Sequence, residues 1–86
     1  MIDLPNPVPN AASAVRLRVT GVVQGVGFRP FVHRLALRHA LAGWVRNRAD
    51  GVEIAIEGNM AALEAFIVEL HSNAPSLARI DDVLVN

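Results

Sequence analysis

Val15-Arg16-Leu17-Arg18-Val19-Thr20-Gly21-Val22-Val23-Gln24-Gly25-Val26-Gly27-Phe28-Arg29-Pro30 is the stretch on which the architecture turns. Its first six residues alternate, so Val15, Leu17 and Val19 face a core while Arg16, Arg18 and Thr20 face water, the period of a strand. Pro30 suits the first position of a helix, where its missing N–H costs nothing, and it pushes Arg29 out of helical geometry into the cap position. Between strand and helix, residues 21–28 form a loop holding Gly21, Gly25 and Gly27. Successive N–H groups of such a turn point into one concavity, and the helix N-terminus adds about half a positive charge at the same place. The loop therefore has the makings of an oxyanion cradle, with phosphate as its obvious guest.

Working outward, a helix over about 30–41 places Phe31, Val32, Leu35 and Ala36 on one face, with Gly43 as its stop. Residues 43–47 read as a second strand and 52–57 as a third, joined by the turn Ala49-Asp50-Gly51. Gly58 and Asn59 close the third strand and cap a helix over about 60–72 that buries Leu63, Phe66, Ile67 and Leu70. Pro75 marks its exit, and a last strand falls at about 79–85. The order β-α-β-β-α-β gives an α+β, ferredoxin-like sandwich, with two helices on one face of a four-stranded antiparallel sheet. Right-handed crossovers set the first and third of these strands side by side at the centre, bringing Arg16 and Arg18 near Glu53 and Glu57 on the open face.

Eighty-six residues, 52% of them hydrophobic, make one folded domain over 15–86. Residues 1–14, where Pro5, Pro7 and Pro9 alternate with polar and small side chains, read as a flexible leader with nothing to bury. No stretch has the pattern of a secretory signal or a membrane span, so the expectation is a soluble, cytoplasmic protein without a membrane partner. Cysteine is absent, and His33, His39 and His71 lack ligand spacing, so neither a metal nor another cofactor is expected. Residues 15–48 hold seven arginines and no acid, whereas 49–86 hold seven acids against Arg79 alone. Pairing of the two sets across neighbouring strands and an anion-attracting field both account for this asymmetry.

The segment Gly-x-Val-Gln-Gly-Val-x-Phe-Arg at 21–29, followed by Gly-Trp-Val-x-Asn at 43–47 and Asp-Gly-Val-Glu at 50–53, resembles the two signature motifs of the acylphosphatase family. The resemblance covers about residues 15–86. Arg29-Pro30-Phe31-Val32 and Ala74-Pro75-Ser76-Leu77-Ala78-Arg79-Ile80 resemble more closely the amino-terminal domain of the HypF family of hydrogenase maturation carbamoyltransferases. That likeness implies hydrolysis of an acyl phosphate, with carbamoyl phosphate as the candidate substrate and further domains of a longer chain as partners. It also leaves, after Asn86, no room for the short fifth strand that complete acylphosphatases often add. By the resemblance, the backbone N–H groups of Gln24, Gly25, Val26, Gly27 and Phe28 cradle the phosphoryl oxygens, Arg29 adds charge-assisted hydrogen bonds, and Asn47 holds the attacking water. Phosphoryl transfer depends on position and charge stabilisation more than on a strong base, so a site without His or Cys is chemically sufficient.

Each residue also has a plainer reading. Asn47 suits a hairpin, Gly25 and Gly27 suit any tight turn, Gln24 supports the loop through its amide, and Phe28 and Trp44 serve packing. His39 reads as a satisfied structural histidine. RNA-recognition domains share the topology but stack bases on aromatics of their central strands, and the strands at 15–20 and 52–57 carry none, so no nucleic-acid partner is expected. Two alternatives to a hydrolytic domain of a larger maturation protein stay open: a stand-alone acylphosphatase, and a module that binds carbamoyl phosphate without turning it over.

Overall fold

The computed structural model describes residues 1–4, 6 and 13–86. Strands β1 (Ile2–Asp3), β2 (Ser13–Val22), β3 (Ala42–Arg48), β4 (Gly51–Gly58) and β5 (Arg79–Val85) form one antiparallel sheet in the order β1-β3-β4-β2-β5. Helices α1 (Phe28–Arg38) and α2 (Met60–Ser72) supply the covering layer. Leu17, Val19, Val45, Val52, Ile54 and Ile56 from the sheet and Phe31, Val32, Leu35, Leu63, Phe66 and Leu70 from the helices are buried in one core. The α+β reading and the central pairing of β2 with β4 hold. Among the described residues no helix is long and apolar enough to cross a membrane.

The sheet has five strands rather than four, because the start of the chain joins it. Ile2 and Asp3 pair with Val45 and Trp44, the Leu4 N–H donates to Gly43 O at 2.9 Å, and the Leu4 side chain is buried. The expectation of a leader with nothing to bury therefore fails at Leu4 and at Asn6, whose amide donates to Ala36 O and Leu41 O at 3.0 and 2.9 Å. It fails also at Ser13 and Ala14, which already belong to β2. For Pro5, Pro7 and Pro9 the expectation lies outside the described residues.

Helix α1 begins two residues earlier than the proline suggests, with Gly27 as its N-cap and Arg29 inside the first turn. A proline at the third helical position still sacrifices no hydrogen bond, since that N–H has no intrahelical acceptor. The bond from Phe31 N–H to Gly27 O at 3.2 Å closes the turn, and burial of Phe28, tilted against Phe31 at 5.8 Å between ring centres, rewards it. The other end also differs, because α1 stops at Arg38 through a left-handed Ala40, with Ala40 N–H bonded to Leu37 O and Leu41 N–H to Ala36 O. Gly43 instead lies within β3, where a Cβ would stand 1.8 Å from Ala55 O, so a close approach of backbones and not a helix stop requires it. Helix α2 is capped as its sequence indicates, with Asn59 Oδ1 accepting from Ala62 N–H at 2.8 Å.

Candidate functional site

The end of β2, the end of β3, the start of β4 and the N-terminus of α1 meet at one edge of the sandwich, and the loop 23–27 lies there. Val23, 1% exposed, and Phe28 anchor the loop in the core at either side. Between them φ alternates in sign: Gly25 and Gly27 are left-handed at 71° and 80°, while Gln24 and Val26 are not. Such alternation turns successive N–H groups toward one side, the geometry of an anion-binding nest. A Cβ on either glycine would meet nothing within 4 Å, so backbone conformation and not space is what demands glycine, and the concavity in front is open. Among the described residues, the N–H groups of Gln24, Gly25, Val26, Gly27 and Phe28 have no protein acceptor.

Arg29 follows directly in the first turn of α1, half-buried, and takes part in no ion pair among the described residues. A partnerless guanidinium beside a row of free N–H donors concentrates positive charge at the positive end of a helix. Asn47 is exposed near the end of β3, two residues beyond the fully buried Val45, so strand alternation puts both on the helix-bearing side of the sheet. Gln24 connects the parts: its Nε2 donates to Arg48 O and, at 2.8 Å, to Gly51 O. The loop is thereby tied to the hairpin of β3 and β4 one residue past Asn47, and Gln24 has the supporting role expected of its amide.

The arginine-rich half resolves into two sets. Arg16, Arg46 and Arg48 converge on Glu53, at 3.8, 2.6 and 3.2 Å, and Arg38 pairs with Glu69 at 2.8 Å. Arg18 lies opposite Glu53 in register without an ion pair, and Glu57 has none among the described residues, so the expected meeting of Arg16 and Arg18 with Glu53 and Glu57 holds only for Arg16 with Glu53. The roles of Arg46 and Arg48 were hidden by the turn. A three-residue turn at 49–51 slips the hairpin by one, whereas the observed two-residue turn sets Arg46 opposite Glu53 and Arg48 opposite Gly51. Trp44 packs on the open face, with the guanidinium carbons of Arg16 and Arg46 at 5.4 and 5.0 Å from its ring centre. His39 is not satisfied as expected: its buried Nε2 lies 3.2 Å from Glu69 Oε1 without the alignment of a hydrogen bond. A groove of about 310 Å³ lined by Arg16, Trp44, Ala55, Glu57 and Asn86 opens elsewhere on the sheet, away from the loop.

The sequence from 15 to 86 matches the family model described as acylphosphatase. The chain belongs to the acylphosphatase family. Within it, the chain is 56% identical over 69 residues to carbamoyltransferase HypF2 of Cupriavidus necator, an alignment spanning 80% of this chain and 9% of that one. A full-length HypF crystallised in its phosphate- and nucleotide-bound form superposes with a TM-score of 0.86 at 43% identity, over 95% of this chain and 11% of that one. The acylphosphatase from Bacillus subtilis superposes with a TM-score of 0.78 at 47% identity, over 85% of this chain and 81% of its own. The chain thus spans about a tenth of the carbamoyltransferases it matches and most of a free-standing acylphosphatase. Acylphosphatases are enzymes, and the ferredoxin-like sandwich of the family is the fold found here.

Proposed function

We propose that this domain hydrolyses acyl phosphates, with the phosphoryl group seated in the loop 24–28 and Asn47 positioning the water. The observation that carries the reading is the run of alternating φ from Gln24 to Gly27, whose N–H groups lack protein acceptors among the described residues and lead directly into Arg29. The N–H groups of Gln24, Gly25, Val26, Gly27 and Phe28 hold the three phosphoryl oxygens, and the Arg29 guanidinium neutralises the charge that builds on them. The Asn47 side chain holds a water in line with the bond to be broken. The water oxygen bonds to phosphorus as the bond from phosphorus to the acyl oxygen breaks. The electron pair of that bond leaves with the carboxylate, and both hydrogens of the water end on the phosphate product. No strong base is needed, because the carboxylate is a good leaving group and the phosphoryl oxygens accept the proton.

Carbamoyl phosphate is the proposed physiological substrate, and further domains of a longer chain are the proposed partners. Both rest on the high identity to carbamoyltransferases of which this chain spans about a tenth. Hydrolysis of benzoyl phosphate and carbamoyl phosphate, measured side by side with a chelator present and Arg29→Ala as the blank, tests the proposal. Turnover of both that vanishes in the variant is the expected result. Stabilisation by inorganic phosphate without turnover of either would show a binding module instead.

A further inference from the structure

Glu53 is the only charged side chain buried among the described residues, at 3% exposure, and it lies on the sheet face opposite the candidate site. Its Oε1 accepts from Arg46 Nε at 2.8 Å and from Arg48 Nη1 at 3.2 Å. Burial pushes a carboxyl up, but the hydrogen bond from Arg46, seconded by Arg48, holds Glu53 below its ordinary value, so the group is a carboxylate at neutral pH. A buried ion cluster is a poor source of stability compared with apolar packing, which makes a positional use the more informative reading.

The two arginines gripped by this carboxylate are the immediate neighbours of Asn47 on β3. Along that strand the outer edge is covered at Trp44 and Val45 by Asp3 and Ile2. From Arg46 to Arg48 the described residues give β3 a single partner strand, β4. A strand end bonded on one side opens at low cost, and Asn47 stands in the middle of it. Fastening Arg46 and Arg48 to one point on the open face fixes the pleat between them and sends the Asn47 side chain to the other face.

We infer that Glu53 is a positioning residue for hydrolysis: by clamping Arg46 and Arg48 it holds the Asn47 amide in the orientation that aligns the attacking water. The inference rests on the role proposed above for Asn47. It places no part of Glu53 against substrate.

The test is a double-variant cycle on benzoyl phosphate with Glu53→Gln, Asn47→Ala and the combination. Glu53→Gln is expected to lower kcat about tenfold, the scale of a modest misplacement of a reacting group, with KM and inhibition by inorganic phosphate within about twofold of the parent. In the Asn47→Ala background the same change is expected to cost nothing further, a coupling that a general loss of stability would not produce. Parental kcat in Glu53→Gln, a loss that adds fully to that of Asn47→Ala, or a parallel loss of phosphate affinity overturns the inference. Should Glu53→Gln fail to fold, Arg48→Gln, which leaves the Arg46 pair in place, is put through the same cycle and read by the same outcomes. Parental kcat in Asn47→Ala would instead sink the role given to Asn47, and this inference with it. A drop in Asn47→Ala with none in the Glu53 and Arg48 variants sinks this inference alone.

Discussion

The side-chain amide of Gln24 donates to the main-chain oxygen of Arg48, so the glycine loop is tied to the strand that carries Asn47. The second bond, to Gly51 O, makes the tie bidentate across the hairpin. Gln24→Ala is expected to lower kcat/KM by up to about 30-fold while the domain stays folded, because two net hydrogen bonds worth roughly 1 kcal/mol each are lost at an exposed edge. Gln24→Glu should do worse than Gln24→Ala, since a carboxylate has no proton to give and confronts two carbonyl oxygens. Steady-state kinetics of the two variants decides this, and parental kcat/KM in Gln24→Ala would show that the tie is dispensable.

Arg29 has no ion pair to lose among the described residues, so its removal should separate catalysis from stability. Arg29→Ala is expected to reduce kcat at least about 100-fold with little change in melting temperature. Arg29→Lys keeps the charge but not the planar fork, and most of the loss should remain. A lysine variant with near-parental turnover would show that point charge suffices.

Two glycines should respond to alanine to very different degrees. At Gly27 the left-handed φ of 80° costs a side chain about 1–2 kcal/mol, but nothing stands within 4 Å of the added carbon. Gly27→Ala should fold, with a melting temperature lower by roughly 4–8 °C per kcal/mol. At Gly43 the added carbon would sit 1.8 Å from Ala55 O, so Gly43→Ala should unfold the pairing of β3 with β4. Thermal unfolding followed by circular dichroism distinguishes them.

Glu53 also gives stability a pH signature. Its pKa in the folded protein lies below the ordinary value of 4.5, so its contribution is fully present above that value and is lost as pH falls through the lower one. The gap in melting temperature between the parent and Glu53→Gln should be constant near neutrality and close progressively below 4.5. A gap that widens on acidification would contradict the pairing with Arg46 and Arg48.

The alternation at Val15–Thr20, the glycine loop and the helical spacing of Phe31, Val32 and Leu35 and of Leu63, Phe66 and Leu70 helped to order the elements, because a half-buried strand, a tight turn and an amphipathic helix are written locally. What escaped was set by distant partners. Leu4 and Asn6 look like parts of a proline-rich leader until the edge of β3 and the open carbonyls at the end of α1 are in view. Arg46 and Arg48 could have been matched to Glu53 from sequence only by counting a two-residue turn, since one residue of slip moves every side chain to the other face. The left-handed turn at Gly25 and Gly27 and the place of Arg29 at the head of α1 were legible because they are set by the backbone and by neighbouring residues, without assembly from afar.

The pairing of Leu17 with Val85 joins positions near opposite ends of the domain, and β2, flanked by β4 and β5, is the strand on which both sides depend. Contacts so far apart in sequence are slow to form, because the chain must close its longest loop before they give anything back. During synthesis the glycine loop and α1 emerge early, yet β2 keeps one edge unpaired until β5 has left the ribosome. The glycine loop is therefore expected to gain its shape late, in a single cooperative step that waits on the pairing of β5 with β2.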